Sequence, residues 1–326
     1  MLWINNCQLA DPKPREGALR VEGPFITGRT SRLAVKAPTL DAHGLTIVPA
    51  FVDAHVHLSV AGEVGLVARE ELRRGVAGVI DLGEPEALLA ALDPRPLRVR
   101  FSGPLFTAPG GYPTQTWGKS GHGLALSTAD EARAAVGRLA AVQARFVKLA
   151  FDPRGPMLSF EVAKAAADEA HRLGLQVVAH ALEAGLVRLA LDAGADVLAH
   201  TPRDKLPAEL LERMKGKWVI STLWAFGVSP TRLAALREAG ARIAYGTDLG
   251  NENTEPGIDP RELLLLKAAG VDPLRAGTQD AAELAGLRDL GRLSVGSAAS
   301  LLAVRGLEPE HLARPVWVMN CGKLMV

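Results

Sequence analysis

The sequence has little of three features that mark specialised classes of protein. Among its 326 residues are two cysteines, Cys7 and Cys321, which excludes a disulfide-built scaffold and a zinc site made of cysteines. Lysine and arginine number 37 and aspartate and glutamate 36, so the chain lacks the basic surplus typical of nucleic-acid-binding domains. No apolar run approaches the roughly 20 residues that span a bilayer. We therefore expect neither a nucleic-acid nor a membrane partner.

What the chain does have is enough apolar residues to build a large core. Hydrophobic residues make up 48% of it, which is not the composition of a disordered segment. Residues 1–17 lack the basic start and apolar centre of a signal peptide. We expect a cytoplasmic protein with one large domain and one small one, in which the cysteines are ordinary thiols. Whether these two thiols lie close together is left open.

Composition divides the chain into three zones. Residues 1–46 and 291–326 consist of short apolar runs broken by turn residues, which is typical of small antiparallel strands. Residues 47–290 instead alternate short apolar runs with longer helical stretches. The eight apolar runs are Ile47–Val52, Val76–Leu82, Arg98–Ser102, Phe146–Ala150, Gln176–Ala179, Val197–Ala199, Trp218–Ser221 and Arg242–Tyr245.

Helix signals lie between most of these runs. Thr128 and Glu131 form a capping box ahead of a helix over 132–144, and Ser159 is placed to cap a helix that ends at Leu173. Eight strands that alternate with helices predict an α/β fold, a (β/α)8 TIM barrel. Residues 47–290 match the roughly 250 residues that such a barrel usually takes.

Ionisable side chains lie at or near the ends of the predicted strands. His55 and His57 end the first strand, and because strand side chains alternate, both point into the barrel mouth. Later strands contribute Lys148, His180, His200 and Asp248. Barrel enzymes place their active sites at this end of the strands. A lone His-x-His is usually structural, but this convergence predicts a metal centre.

This pattern resembles the amidohydrolase superfamily of metal-dependent hydrolases, most nearly its prolidase-like and imidazolonepropionase-related group. The resemblance rests on residues 48–57, 246–248 and the lysine and histidines above. It implies that the two chain termini build a small β-sandwich-like domain. It also implies two metal ions, bridged by carbamylated Lys148. The implied ligands are His55, His57 and Asp248 for one metal and His180 and His200 for the other. Residues 296–301 depart from the family, since they lack an acidic residue common before the last strand.

Electrostatics supports the carbamate independently. A protonated lysine beside two divalent cations loses its proton, and addition of CO2 then gives an anion able to bridge metals roughly 3.5–4 Å apart. A salt-bridged lysine and a Schiff-base lysine are the alternatives. The expected reaction is hydrolysis of an amide, cyclic amide, peptide-like bond or lactone of a small molecule by a metal-activated hydroxide. Asp248 would move the proton, with Lys148 as the second catalytic residue.

Other functions remain open. His180 and Glu183 form a His-x-x-Glu, similar to the motif of mononuclear deaminases and imidazolone-ring hydrolases, in which Glu183 would be the catalytic proton shuttle. The alternative for Glu183 is an exposed residue in the first turn of a helix. A non-catalytic barrel scaffold is the third possibility, although a scaffold needs none of these side chains. Zinc is the first expectation, one or two ions per chain, with manganese, iron and cobalt open. A homo-oligomer also remains open.

The loop after the third run is long and aromatic, covering residues 106–122. Such a loop on a barrel usually belongs to the site or covers it. Tyr112 lies where some prolidase-like relatives have a histidine, and it is placed either to bond a substrate carbonyl or to pack across the mouth. Arg203 either meets a substrate carboxylate or is a solvated loop charge. Further candidate substrate contacts are Trp117, His122 and Trp224.

Overall fold

The computed structural model describes residues 1–10, 13–31 and 38–325. In chain order its strands are β1 Leu2–Ala10, β2 Pro14–Glu22, β3 Phe25–Thr30, β4 Thr39–Asp41, β5 Thr46–Pro49, β6 Phe51–Val56, β7 Val76–Asp81, β8 Arg98–Phe101, β9 Leu105–Thr107, β10 Gly123–Ala125, β11 Phe146–Ala150, β12 Gln176–His180, β13 Val197–Leu198, β14 Trp218–Ile220, β15 Arg242–Ala244, β16 Leu301–Val304, β17 Trp317–Asn320 and β18 Lys323–Met325.

Helices separate most of the central strands. They are α1 Leu58–Ala61, α2 Val64–Arg73, α3 Glu86–Leu89, α4 Ala129–Ala141, α5 Phe160–Arg172, α6 Ala184–Ala193, α7 Ala208–Arg213, α8 Leu223–Phe226, α9 Pro230–Glu238, α10 Pro260–Ala268, α11 Pro273–Arg275, α12 Ala281–Ala285 and α13 Pro309–Leu312, with a 3-10 turn at Trp117–Ser120 and a π-helical turn at Ala276–Asp280. None of the described helices combines the length and apolarity that crossing a membrane requires.

Both ends of the chain contribute strands to one mixed sheet. Within the described residues its order is β18-β17-β16-β5-β1-β2-β3, with β4 paired to β1. Strand β5 is parallel to β1 and antiparallel to β16, so it joins the N-terminal strands to the C-terminal ones. Ile4, Leu19, Ile47 and Met319 are fully buried in its core. The predicted strands of residues 1–46 and 291–326 therefore share a sheet.

The chain passes from this sheet to the central part at Ala50. The backbone N–H of Ala50 donates to Ser300 O at 2.9 Å, whereas the next N–H, of Phe51, donates to Gly75 O at 2.9 Å. Pro49 ends β5 and has no N–H to donate to a further rung. The single strand predicted over Ile47–Val52 is therefore two strands in two sheets.

Two parallel sheets form the centre of the molecule. Their orders are β6-β7-β8 and β10-β9-β11-β12-β13-β14-β15, and each of the eight predicted apolar runs contains or overlaps a strand. Backbone hydrogen bonds also connect the two sheets: Ala54 N–H donates to Tyr245 O at 3.0 Å and Arg145 N–H donates to Phe101 O at 3.1 Å. The fold is α/β, with parallel strands in both central sheets.

Two helix predictions are confirmed. Thr128 is the N-cap of α4 and its hydroxyl accepts from Glu131 N–H, while the Glu131 carboxylate accepts from Thr128 N–H. The helix spans Ala129–Ala141 rather than 132–144, and it begins earlier than predicted because the capping residue directly precedes the first helical residue. Ser159 caps α5, and Gly174 follows its end in the left-handed region that glycine adopts freely.

Candidate active site

Three predicted ligands converge at the end of β6. Asp248 Oδ1 lies 3.1 Å from His55 Nε2 and 3.3 Å from His57 Nε2, and all three residues are buried. The three ligand atoms lie within 4.8 Å of one another, and Asp248 Oδ1 has no hydrogen-bond partner within the described part of the chain. Two imidazole nitrogens and a buried carboxylate oxygen that converge in this way fit a divalent metal ion.

The backbone around Asp248 holds its carboxylate against the histidines. Asp248 has φ 58°, a left-handed conformation that aspartate tolerates better than most residues, and its N–H donates to His55 O at 2.9 Å. Gly246 lies two residues earlier, where a Cβ would be 2.4 Å from Ile220 Cγ2 and 3.1 Å from His55 Cβ. The turn can therefore approach β6 this closely only because that position is glycine.

Hydrogen bonds of Asp53 connect the end of β6 to the turn that carries Asp248. Its Oδ1 accepts from His55 N–H at 2.9 Å and from Thr247 N–H at 3.1 Å, and its Oδ2 accepts from the Thr247 hydroxyl at 2.6 Å. Burial raises the pKa of Asp53 to about 7, although these hydrogen bonds oppose the rise. Asp53 thus positions the strand end that carries the histidines.

The other three predicted ligands lie beside this cluster. Lys148 Nζ is 3.4 Å from His55 Nε2, the ring of His200 stacks on His55 with centroids 4.7 Å apart, and the ring of His180 lies 4.8 Å from that of His200. All six residues line one cavity of about 390 Å³. Burial lowers the pKa of Lys148 to about 7, with Asp248 and Asp81 opposing the shift, so a neutral amine is accessible at ordinary pH.

Three of the imidazoles have one ring nitrogen engaged by a neighbouring group. His55 Nδ1 donates to Ala199 O at 3.0 Å, and His200 Nδ1 lies 3.0 Å from the Thr222 hydroxyl. Thr222 has φ 42°, a strained conformation for a β-branched residue, which is the kind of strain found at functional sites. These contacts leave Nε2 of His55 and Nε2 of His200 as the nitrogens available to a metal.

Asp152 performs the same task for His180, a role that was not predicted from the sequence. Its Oδ2 lies 3.1 Å from His180 Nε2, which leaves Nδ1 of that ring available. Burial raises the pKa of Asp152, but the hydrogen bonds from His180 and Arg154 outweigh it and hold the pKa well below its usual range. Asp152 follows β11 closely, a position at the strand ends that could have signalled its role.

Burial also sets the protonation of the histidines. It lowers the pKa of His180 and holds those of His55 and His200 well below the usual value, so these rings are neutral at pH 7. Neutral imidazole is the form that binds metals. Burial would raise the pKa of Asp248, but the neighbouring histidines hold it well below its usual range, so its carboxylate stays ionised.

The predicted substrate contacts divide into two groups. Tyr112 and Trp117 line the cavity, and Trp117 Nε1 donates to the Tyr112 hydroxyl at 2.9 Å. His122 lies behind Trp117 and contacts the Ser59 hydroxyl at 3.0 Å, while Trp224 is 41% exposed, and neither lines the cavity. Glu183 is exposed at the N-cap of α6 and does not line the cavity either.

Phe226 and Arg154 were not predicted from the sequence but also line the cavity. The ring of Phe226 lies 4.3 Å from that of His200, and the Arg154 guanidinium stacks on Tyr112 with Cζ 4.1 Å from the ring centre. The loop after β15 adds Asn251 and Glu252. These residues come from short helices and loops, where no periodic pattern indicates which way a side chain points.

Comparison with known proteins identifies the class to which this fold and site belong. The sequence model of the amidohydrolase family matches residues 46–216, a little over half of the chain. The chain therefore belongs to the amidohydrolase family. Membership supports a hydrolytic enzyme, and the family typically binds a divalent metal, in agreement with the His55, His57 and Asp248 cluster.

Individual relatives give the same picture. An imidazolonepropionase of Streptomyces coelicolor is 27% identical, with 96% of this chain and 92% of that protein covered. An uncharacterized protein of Mycobacterium tuberculosis is 29% identical, with 76% and 75% covered. A solved prolidase in complex with N-methylphosphonate-L-proline superposes with a TM-score of 0.83 at 20% identity, covering 99% of both chains. The fold is that of the amidohydrolases.

Proposed function

We propose that this protein is a metal-dependent hydrolase that cleaves an amide, cyclic-amide, peptide-like or lactone bond of a small molecule. The observation that carries this proposal is the single cavity onto which His55, His57, Asp248 and Lys148 open together. A cavity of about 390 Å³ fits a small-molecule substrate. In this proposal the two parallel sheets close into a (β/α)8 barrel, and the terminal sheet forms the small accompanying domain.

The residues divide into two ligand sets around two metal ions. His55, His57 and Asp248 would hold the first ion, His180 and His200 the second, and Lys148 would bridge both as a carbamate. The neutral amine of Lys148 attacks CO2, a C–N bond forms, and one proton is released to solvent. The support is the complete burial of Lys148 beside His55, where an ammonium group has no carboxylate within salt-bridge distance in the described residues.

The metal supplies a Lewis acid, which lowers the pKa of water towards about 7 and polarises the substrate carbonyl. The chain supplies the rest. Asp248 takes a proton from the attacking water and passes it to the leaving nitrogen or oxygen as the scissile bond breaks. The Tyr112 hydroxyl accepts a hydrogen bond from Trp117. Its own O–H donates a hydrogen bond to the substrate carbonyl oxygen. The rings of Trp117 and Phe226 exclude water.

The alternatives have less support. A mononuclear deaminase or ring hydrolase that uses Glu183 needs that carboxylate near the metals, but Glu183 is exposed and outside the cavity. A scaffold has no use for a left-handed Asp248 and Thr222 that both aim polar atoms at histidines. We therefore favour the two-metal hydrolase.

The test combines metal content with activity. We expect about two zinc ions per chain in the native protein, and Lys148→Ala should lose at least one ion and more than 100-fold in turnover. Loading with ¹³CO2 should give a carbamate NMR signal that Lys148→Ala lacks. The control is Lys164→Ala, which removes an exposed lysine paired with Asp168 on α5.

Two results would contradict the proposal. Full activity in Lys148→Ala would remove Lys148 from the mechanism, and a native protein that binds no divalent metal would remove the metal-dependent reaction itself. Supplying the folded Lys148→Ala variant with propionate gives a second test, because a small carboxylate can replace the missing oxygens. Partial recovery of metal and turnover is then expected.

A further inference from the structure

Two arginines line the cavity, and their charges are used differently. Arg154 is neutralised within the protein, because its guanidinium donates to both oxygens of Asp152 at 2.6–3.1 Å. Arg203 is not. No carboxylate of the described chain lies within salt-bridge distance of its guanidinium, and no described acceptor binds it. Among the described residues that line the cavity, Arg203 is therefore a permanently charged cation whose charge the protein leaves uncompensated.

The backbone of Arg203 is held by hydrogen bonds, although the residue is exposed. Its N–H donates to Leu182 O at 2.8 Å and its carbonyl accepts from Arg232 Nε at 3.1 Å, so the backbone is held on both sides. Its Cζ lies 5.6 Å from the centre of the Phe226 ring. That ring in turn contacts the proposed metal ligand His200, with centroids 4.3 Å apart. One aromatic ring thus separates the guanidinium from the metal ligands.

The unpaired carboxylate of Glu252 makes the electrostatic potential of the cavity differ from one side to the other. Glu252 also lines it, from the loop after β15, whereas Arg203 follows β13, and β14 lies between these strands. No described cation lies within salt-bridge distance of the Glu252 carboxylate. An anionic group is attracted to the Arg203 side of the cavity and repelled from the Glu252 side.

From this arrangement we infer that the substrate carries a carboxylate next to its scissile bond and that Arg203 binds it. The inference rests on the proposed hydrolysis and adds the substrate class: an N-acyl amino acid, a dipeptide or a lactone acid rather than a neutral amide. A planar guanidinium presents parallel N–H groups, so it can bind a carboxylate bidentately. Arg203 is then a specificity-determining residue, not a member of the metal centre.

The experiment compares acids with their neutral counterparts. The probes are N-acetyl-L-proline, N-acetyl-L-leucine and N-acetyl-L-phenylalanine, each paired with its carboxamide. Binding to the zinc-loaded protein is measured by saturation-transfer NMR, and hydrolysis is measured separately by release of the free amine. The variants are Arg203→Met, Arg203→Lys and, as control, Arg133→Met, which removes an exposed arginine of α4 paired with Asp130.

We expect the native protein to bind at least one acid about 10-fold more tightly than its carboxamide, a difference that one charge-assisted pair supplies. Arg203→Met should abolish this preference while leaving carboxamide binding unchanged, Arg203→Lys should keep part of it, and Arg133→Met should keep all of it. Equal binding of acid and carboxamide in every pair, binding of neither, or a preference that survives in Arg203→Met would overturn the inference.

The binding measurement tests the role of Arg203, and the hydrolysis measurement tests the proposed function. Preferential binding of the acid without hydrolysis of any probe would leave Arg203 as the carboxylate site and count against the proposed hydrolysis. Hydrolysis of acid and carboxamide at equal rates, with equal binding, would support hydrolysis and overturn the role of Arg203.

Discussion

At the scale of single residues, the candidate site depends on which nitrogen of each imidazole is free. The protein decides this with unlike partners: a backbone carbonyl for His55, a strained threonine for His200 and a buried carboxylate for His180. Such outer partners fix the tautomer and orientation of a metal-binding histidine. They cost the protein little, because each also satisfies a buried polar group.

Asp152→Asn tests the partner of His180. The side chain keeps its shape but loses its charge, so its hydrogen bonds with His180 and Arg154 weaken. We expect metal affinity to fall about 10–100-fold, as measured by competition with a chromophoric chelator. Asp168→Asn, an exposed residue of α5, is the control. Unchanged affinity in Asp152→Asn would show that His180 needs no such partner.

A second residue-scale prediction concerns the pH dependence of stability. Glu84 is 1% exposed beside Asp81, and burial, aided by that carboxylate, raises the pKa of Glu84 from 4.5 to about 7. The folded state therefore retains a proton that the unfolded chain releases between these values. Stability is lost as pH rises through this window.

Glu84→Gln should remove that loss. Relative to the native protein, the variant should gain on the order of 2 kcal/mol in free energy of unfolding between pH 5 and pH 8. Urea titrations at both pH values measure the difference, and Glu310→Gln, at an exposed residue of α13, is the control. Parallel pH profiles for the variant and the native protein would mean that Glu84 ionises normally in the fold.

At the scale of elements, the N-caps of α4 and α5 could be predicted from the sequence because capping depends on residues only three positions apart. Thr128→Ala removes the hydroxyl that accepts from Glu131 N–H at 3.2 Å. We expect a loss of about 1 kcal/mol in stability with unchanged turnover, since α4 carries no cavity residue. Denaturant unfolding and steady-state kinetics test both parts. Thr128→Ser should behave as the native protein does.

The sequence predicted elements and ligands better than it predicted their surroundings. Apolar runs located the central strands other than β9 and β10, and the rule that parallel strands end at one rim predicted that His180 and Asp248 lie near His55. Asp152 and Thr222 were missed because their roles depend on backbone turns, and the left-handed conformation of Thr222 leaves no mark in the sequence. The sheet change at Ala50 was missed because the residues on both sides are equally apolar.

At the scale of the whole molecule, the terminal sheet and the central sheets share apolar contacts. Leu302 in β16 is fully buried in the same core as β7 and α12, and a Cβ on Gly75 would lie 3.0 Å from it. The face of the terminal sheet that carries Leu302 therefore packs against the start of β7, the neighbour of the strand β6 that carries His55. This contact predicts one cooperative unfolding unit rather than two.

Leu302→Ala tests this coupling. Loss of a fully buried leucine should cost about 2–5 kcal/mol, and metal release and loss of near-UV circular dichroism should move to lower temperature together. Leu324→Ala, at a side chain that is 45% exposed, should shift neither. If the metal were retained beyond the transition of the terminal sheet, the two parts would be independent folding units.

Strand β5 has a further consequence for how the chain is made. It lies between β1, which precedes it in the chain, and β16, whose residues 301–304 the ribosome adds long after it. Until then one hydrogen-bonding edge of β5 has no native neighbour, although His55 and His57 already follow it. The nascent polypeptide thus carries an open strand while the central sheets are being made, so wrong pairing in the crowded cell stays a hazard until β16 has been made.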